Sequence, residues 1–80
     1  MTTMADLESG QIGHVEHVDG SDFLALRLLE MGLTPGCEVQ FVGQAPLGDP
    51  LEFRVRGYRL SLRRAEAERV VIHLSSTHVG

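Results

Sequence analysis

The chain contains no lysine: all seven of its basic residues are arginine. That absence removes two chemistries. A phosphate-binding G-x-x-x-x-G-K-[ST] loop cannot be written without its lysine, and a Schiff base needs a primary amine. Nucleotide hydrolysis by this chain is therefore not expected. Cysteine is nearly absent too; the single Cys37 cannot form an internal disulfide. No apolar run approaches the ~20 residues of a membrane helix, so no membrane insertion is expected. The first residues, Met1 to Asp6, lack the basic start and apolar stretch of a secretory signal. A cytoplasmic protein is the simplest expectation. No G-x-S-x-G surrounds Ser61 or Cys37, so neither reads as a nucleophile. A net charge of −4 argues against a general nucleic-acid binder.

Eighty residues make one domain. A chain of this length buries only ~60% of the surface its unfolded form exposes. Its core must be compact, with little left over for a catalytic cleft, and no enzyme is expected. Residues 5–74 read as one continuous unit, followed by a polar tail over residues 75–80 of a composition that commonly stays disordered. Charge is unevenly spread. Residues 1–52 hold nine acids and only Arg27, while residues 53–80 hold six arginines and two glutamates. A locally basic end of this kind can steer an acidic partner.

The segment Gly10 to Val18 reads as a strand whose parity slips, since Ile12 and Val18 point one way and Val15 the other. A bulge near Gly13 repairs that. Ser21 to Met31 reads as the one long helix, with Ser21 as N-cap, Asp22 in the first turn and Gly32 as the left-handed terminator. Leu24, Leu28 and Met31 form its inward stripe. Glu38 to Val42 alternates as a half-buried strand with Val39 and Phe41 inward. Leu51 to Leu62 reads as a hairpin turning at Gly57-Tyr58, a two-residue type II′ turn that pairs Arg56 with Arg59 and Val55 with Leu60. Arg64 to Glu68 forms a helical turn. Val70 to Leu74 closes the domain as a last strand with Val70, Ile72 and Leu74 inward. Five short strands and one helix, placed between the first and second strands, imply a mainly β small barrel, whose closure would hide its edges.

Several strings of this sequence resemble one family. These are Leu28-Leu29-Glu30-Met31-Gly32-Leu33-Thr34-Pro35-Gly36, then Val39, then Ala45-Pro46-Leu47-Gly48-Asp49-Pro50, then Arg63 and the Glu66-Ala67 turn. In this order and spacing they are similar to FeoA, the small cytosolic accessory protein of bacterial ferrous-iron transport. The resemblance covers about residues 5–74. It implies an SH3-like barrel, no cofactor and no catalytic residues, and a working partner in the membrane GTPase transporter FeoB. Two alternative classes stand beside that reading: a metal-binding carrier or sensor, and a detached regulatory barrel like that of the iron-dependent repressors.

The candidate partner-binding residues follow from pattern. The helix carries more leucine than one small sheet covers, since Leu26 and Leu29 lie off the inward stripe while Arg27 and Glu30 fill the polar remainder. Either loops cover the surplus or another chain does, including a weak homo-oligomer. Arg54, Arg56 and Arg59 share the outer face of the hairpin, as a solvated surface or as a contact for an acidic partner. Leu47 sits at the tip of a loop stiffened by Pro46 and Pro50, and either plugs the open end of the barrel or projects as an anchor. Asp49 beside it can hold the loop by bonding nearby amides. For metal binding the candidates are His14, His17 and Cys37. On a regular strand His14 and His17 diverge, and the spacings of an intrinsic site are missing, so no metal site is expected.

Overall fold

The computed structural model describes residues 1–75. Its elements in order are a single 3-10 turn over Met4–Asp6, β1 (Ile12–Val18), α1 (Phe23–Glu30), β2 (Glu38–Gln44), β3 (Leu51–Val55), β4 (Tyr58–Leu62), a short α2 (Arg64–Ala67) and β5 (Val70–Leu74). The strands form one antiparallel sheet in the order β4-β3-β2-β1-β5. The architecture is the mainly β, five-stranded barrel expected from the sequence, with α1 between the first two strands. Hydrogen bonding does not close it, because β4 and β5 form the two borders of the sheet. The border at β5 is partly covered by the N-terminus, where Thr3 bridges Val71 and the Ile72 amide donates to the Thr2 carbonyl at 2.8 Å.

One apolar core fills the curl of the sheet. Phe53, Met4, Leu28, Leu33, Leu51 and Leu62 are its largest fully buried side chains. Phe41 packs edge-to-face on Phe53 with ring centroids 5.7 Å apart, a favoured quadrupole arrangement. Alternation explains β3, where Leu51, Phe53 and Val55 are buried and Arg54 is exposed. It fails at β5. Val71 is buried, beside its bridge to Thr3, while Leu74 is half exposed.

Three local expectations are corrected. The irregularity in β1 lies between Val15 and His17, at Glu16, and not near Gly13. Gly13 is needed for a different reason. A Cβ there would stand 2.7 Å from Ile72 Cδ1 and 3.0 Å from the His73 carbonyl oxygen, so a side chain would push β5 away. The helix begins one residue later than Ser21 suggested; Asp22 is the N-cap, accepting from the Ala25 amide at 3.2 Å. The hairpin turns at Arg56-Gly57, both with positive φ (52° and 86°), which is a type I′ turn. Val55 therefore pairs with Tyr58, Phe53 with Leu60 and Arg54 with Arg59. The partner strand is displaced by two residues from the expected register, so every side chain keeps its face.

The end of α1 follows expectation. Gly32 takes φ 102°, its amide donates to Leu29 O, and the Leu33 amide donates to Leu28 O, which together satisfy two carbonyls left open by the last turn. Leu33 is then fully buried.

Candidate partner interface

Helix α1 is tied to the sheet at both ends, and those ties decide which face it shows. At its start, Arg69 lies between Asp19 and Asp22. Its Nε donates to the Asp19 carbonyl at 2.9 Å and its Nη2 to Asp22 Oδ1 at 2.7 Å. Gly20, at φ 98°, leaves the space this guanidinium occupies. The Arg69 hydrogen bond, reinforced by the Ala25 amide, holds the Asp22 carboxyl below the usual carboxylate range. The same contact raises Arg69 above the usual guanidinium value. At the other end, the Tyr58 hydroxyl donates to the Met31 carbonyl.

Held this way, α1 buries Ala25 and Leu28 and partly buries Leu24 and Met31. Its opposite side presents Phe23 (85% exposed), Leu26 (50%) and Leu29 (38%). These three are spaced i, i+3, i+6 and form one apolar ridge along the helix. With Ala25 and the loop Gly20 to Asp22 they line an open groove of about 540 Å³. Leu26 and Leu29 belong to the surplus noted in the sequence. Phe23 is an addition to that surplus; its i+3 spacing from Leu26 is the signal in the sequence that marks it.

The remaining sequence candidates lie elsewhere. Leu47 is 96% exposed, which rules out the plug. Its loop is closed by hydrogen bonds from the Ala45 amide to Pro50 O and from the Gly48 amide to Ala45 O. Asp49 does bond an amide, but a distant one: its Oδ1 accepts from the Arg64 nitrogen at 2.8 Å, clamping the loop to the start of α2. The three hairpin arginines do not act alike. Arg59 pairs with Glu52 at 3.2 Å. Arg56 donates to Thr34 Oγ1 at 3.0 Å and contacts Cys37 Sγ at 3.4 Å, which anchors the left-handed turn. Arg54 is exposed and, among the described residues, makes no side-chain hydrogen bond.

The histidines are drawn into strand pairing. His14 faces His73 across β1 and β5, His14 Nε2 stands 3.7 Å from Glu38, and His73 Nε2 stands 2.9 Å from Glu16. The Ser75 hydroxyl lies 2.9 Å from His14 Nδ1. His17 is exposed and Cys37 is buried. Among the described residues, no three histidine, cysteine or acidic side chains gather with the geometry of a metal site. His78 lies outside the described residues. No helix is long and apolar enough to cross a membrane among the described residues.

A mainly β, five-stranded antiparallel barrel with α1 between its first two strands defines a small domain of SH3-like type. Residues 2–74 match the model of the FeoA domain. The chain belongs to the FeoA family, whose members are accessory domains and not enzymes. FeoA of Stenotrophomonas maltophilia, solved in complex with zinc and described as an SH3 domain protein, superposes with a TM-score of 0.81 at 36% identity, covering 91% of each chain. FeoA of Chlorobium tepidum gives a TM-score of 0.86 at 32% identity, covering 99% of this chain and 75% of that one. A Porphyromonas gingivalis protein in which Fe(2+) transport protein A is fused to the Fe(2+) transporter FeoB is 33% identical over 75 residues. That match takes in 94% of this chain but only 9% of the fusion protein.

Proposed function

We propose that this chain is a cytosolic accessory module of ferrous-iron transport that docks on the cytosolic region of a FeoB-like membrane GTPase transporter. The observation that carries this reading is the Porphyromonas gingivalis fusion, in which a segment similar to nearly the whole chain is covalently joined to such a transporter. A domain found in one polypeptide with a transporter is suited to work beside it. The docking surface is the ridge of Phe23, Leu26 and Leu29, because aromatic and aliphatic anchors flanked by a groove supply most of the energy of an interface. Leu47 is a second anchor, held ready by its hydrogen-bonded loop and so losing little entropy on binding. Asp49 acts by fixing that loop. Arg54, with Arg56 and Arg59 beside it, supplies charge that steers an acidic partner surface.

The test is binding of the purified chain to the transporter's cytosolic region by calorimetry. A Phe23→Ser, Leu26→Ser double variant should stay folded and bind at least ~30-fold more weakly, as expected for loss of ~2 kcal/mol of anchor contact. Unchanged affinity in a folded double variant would remove the ridge from the interface. No binding by the wild-type chain would remove the partner.

A further inference from the structure

Among the described residues, the border of the sheet at β4 has no partner. In a two-residue hairpin the pair closing the turn exchanges both of its backbone hydrogen bonds, and pairs then alternate. Val55–Tyr58, Phe53–Leu60 and Leu51–Leu62 are therefore bonded pairs, and Arg54–Arg59 and Glu52–Ser61 are not. It follows that the N–H and C=O groups of Arg59 and Ser61 point away from β3. Among the described residues nothing else bonds them. Both residues are exposed. Edge strands are commonly protected by proline, bulges or inward charges. β4 has none of these; its one outward charge, Arg59, is already paired with Glu52.

We propose that β4 pairs antiparallel with β4 of a second copy of this chain, about a two-fold axis through Leu60. Three features of the strand select a second copy. An antiparallel two-fold centred on Leu60 sets Arg59 opposite Ser61 of the second copy, so that the residues with outward-pointing backbone groups meet each other. The same register keeps the two Arg59 side chains from facing one another, which removes the like-charge cost of a strand paired with itself. It also sets the partly exposed Leu60 beside its own symmetry mate, an apolar pair at the centre of the joined strands. A five-residue strand buries less than the ~1,200 Å² of a standard stable interface. The dimer is accordingly transient and appears at high concentration.

Sedimentation velocity and amide hydrogen exchange across a concentration series test this. The wild-type chain should sediment faster as concentration rises, with slowed exchange at Arg59 and Ser61. Ser61→Pro removes one outward N–H without breaking a β3–β4 bond, so it should stay folded and monomeric throughout. Ser61→Glu should tighten the dimer about two- to fivefold by facing Arg59, and Ser61→Arg should weaken it by a similar factor. If Ser61→Pro does not fold, the glutamate–arginine comparison carries the same decision. A wild-type chain that stays monomeric, a Ser61→Pro variant that associates normally, or glutamate and arginine variants that do not differ would each overturn the proposal. Protection of Arg59 and Ser61 only on addition of a transporter's cytosolic region would also overturn it, by giving the edge to a different occupant.

Discussion

Replacing Gly32 by alanine probes the joint that sets the helix against the hairpin. Gly32 holds φ 102°, where an L-residue is strained by ~1–2 kcal/mol. A Cβ at that position would stand 2.8 Å from the Tyr58 hydroxyl oxygen, inside contact distance. The hydroxyl must then leave the Met31 carbonyl, and a partly exposed hydrogen bond of that kind contributes ~0.5 kcal/mol. Together these give about 2 kcal/mol. In a domain of this size each kcal/mol moves the melting temperature by roughly 4–8 °C, so Gly32→Ala should melt about 8–16 °C lower. A double-mutant cycle with Tyr58→Phe separates the parts. Tyr58→Phe alone should lower stability slightly, and Gly32→Ala should cost less in that background because no hydroxyl remains to be displaced. Circular-dichroism melts of the four proteins decide the matter. A Gly32→Ala variant that melts like wild type would show that neither the left-handed turn nor the hydroxyl contact holds the helix.

Other outcomes follow from the same geometry. Leu47→Ala should leave the melting temperature unchanged, since the side chain is almost wholly exposed, yet weaken transporter binding by ~10-fold or more in calorimetry. Gly13→Ala should destabilise by ~1–3 kcal/mol in urea titration, because the added carbon collides with Ile72 and the His73 backbone. For Asp22 the sign is set by its lowered pKa: its contribution is complete above the ordinary carboxylate value of ~3.9 and is lost as pH falls through the lower folded value. Protection of the Ala25 amide, relative to its intrinsic exchange rate, should therefore fall only at acid pH in the wild type, and Asp22→Asn should abolish that acid step.

Periodic elements were legible in the sequence because burial and pattern share one cause there. β3 alternates, α1 ends at a glycine that only a left-handed turn requires, and Leu28 lies on the stripe that meets the sheet. The hairpin shows the limit of that signal. Two registers differing by two residues put identical side chains on identical faces, so alternation cannot choose between them. The choice is made by Arg56, whose positive φ is unusual for its residue type and is secured by contacts with Thr34 and Cys37, residues remote in the chain. Met4 and Leu7 are not legible for a related reason. They enter the core from an irregular segment with no period to read. At the candidate interface, Leu26 and Leu29 are legible as surplus, and Phe23 shares their spacing, but its 85% exposure at the first turn depends on how Arg69, from the far end of the sequence, holds Asp22.

The position of β1 has a consequence for how the molecule comes into being. β1 is made first, but it lies inside the sheet with β5, made last, along one side: Gly13 pairs with Leu74 and Val18 with Val70. Pairings this distant along the chain delay folding, because loop closure must be met before any contact rewards it. A nascent chain on the ribosome can form the hairpin and the pairing of β1 with β2 early, yet the other side of its first strand stays open until the last strand has left the exit tunnel. Arg69, which orients α1, also arrives in that final stretch. The orientation of the Phe23, Leu26 and Leu29 ridge is thus fixed only once that late stretch has folded onto the start of the helix.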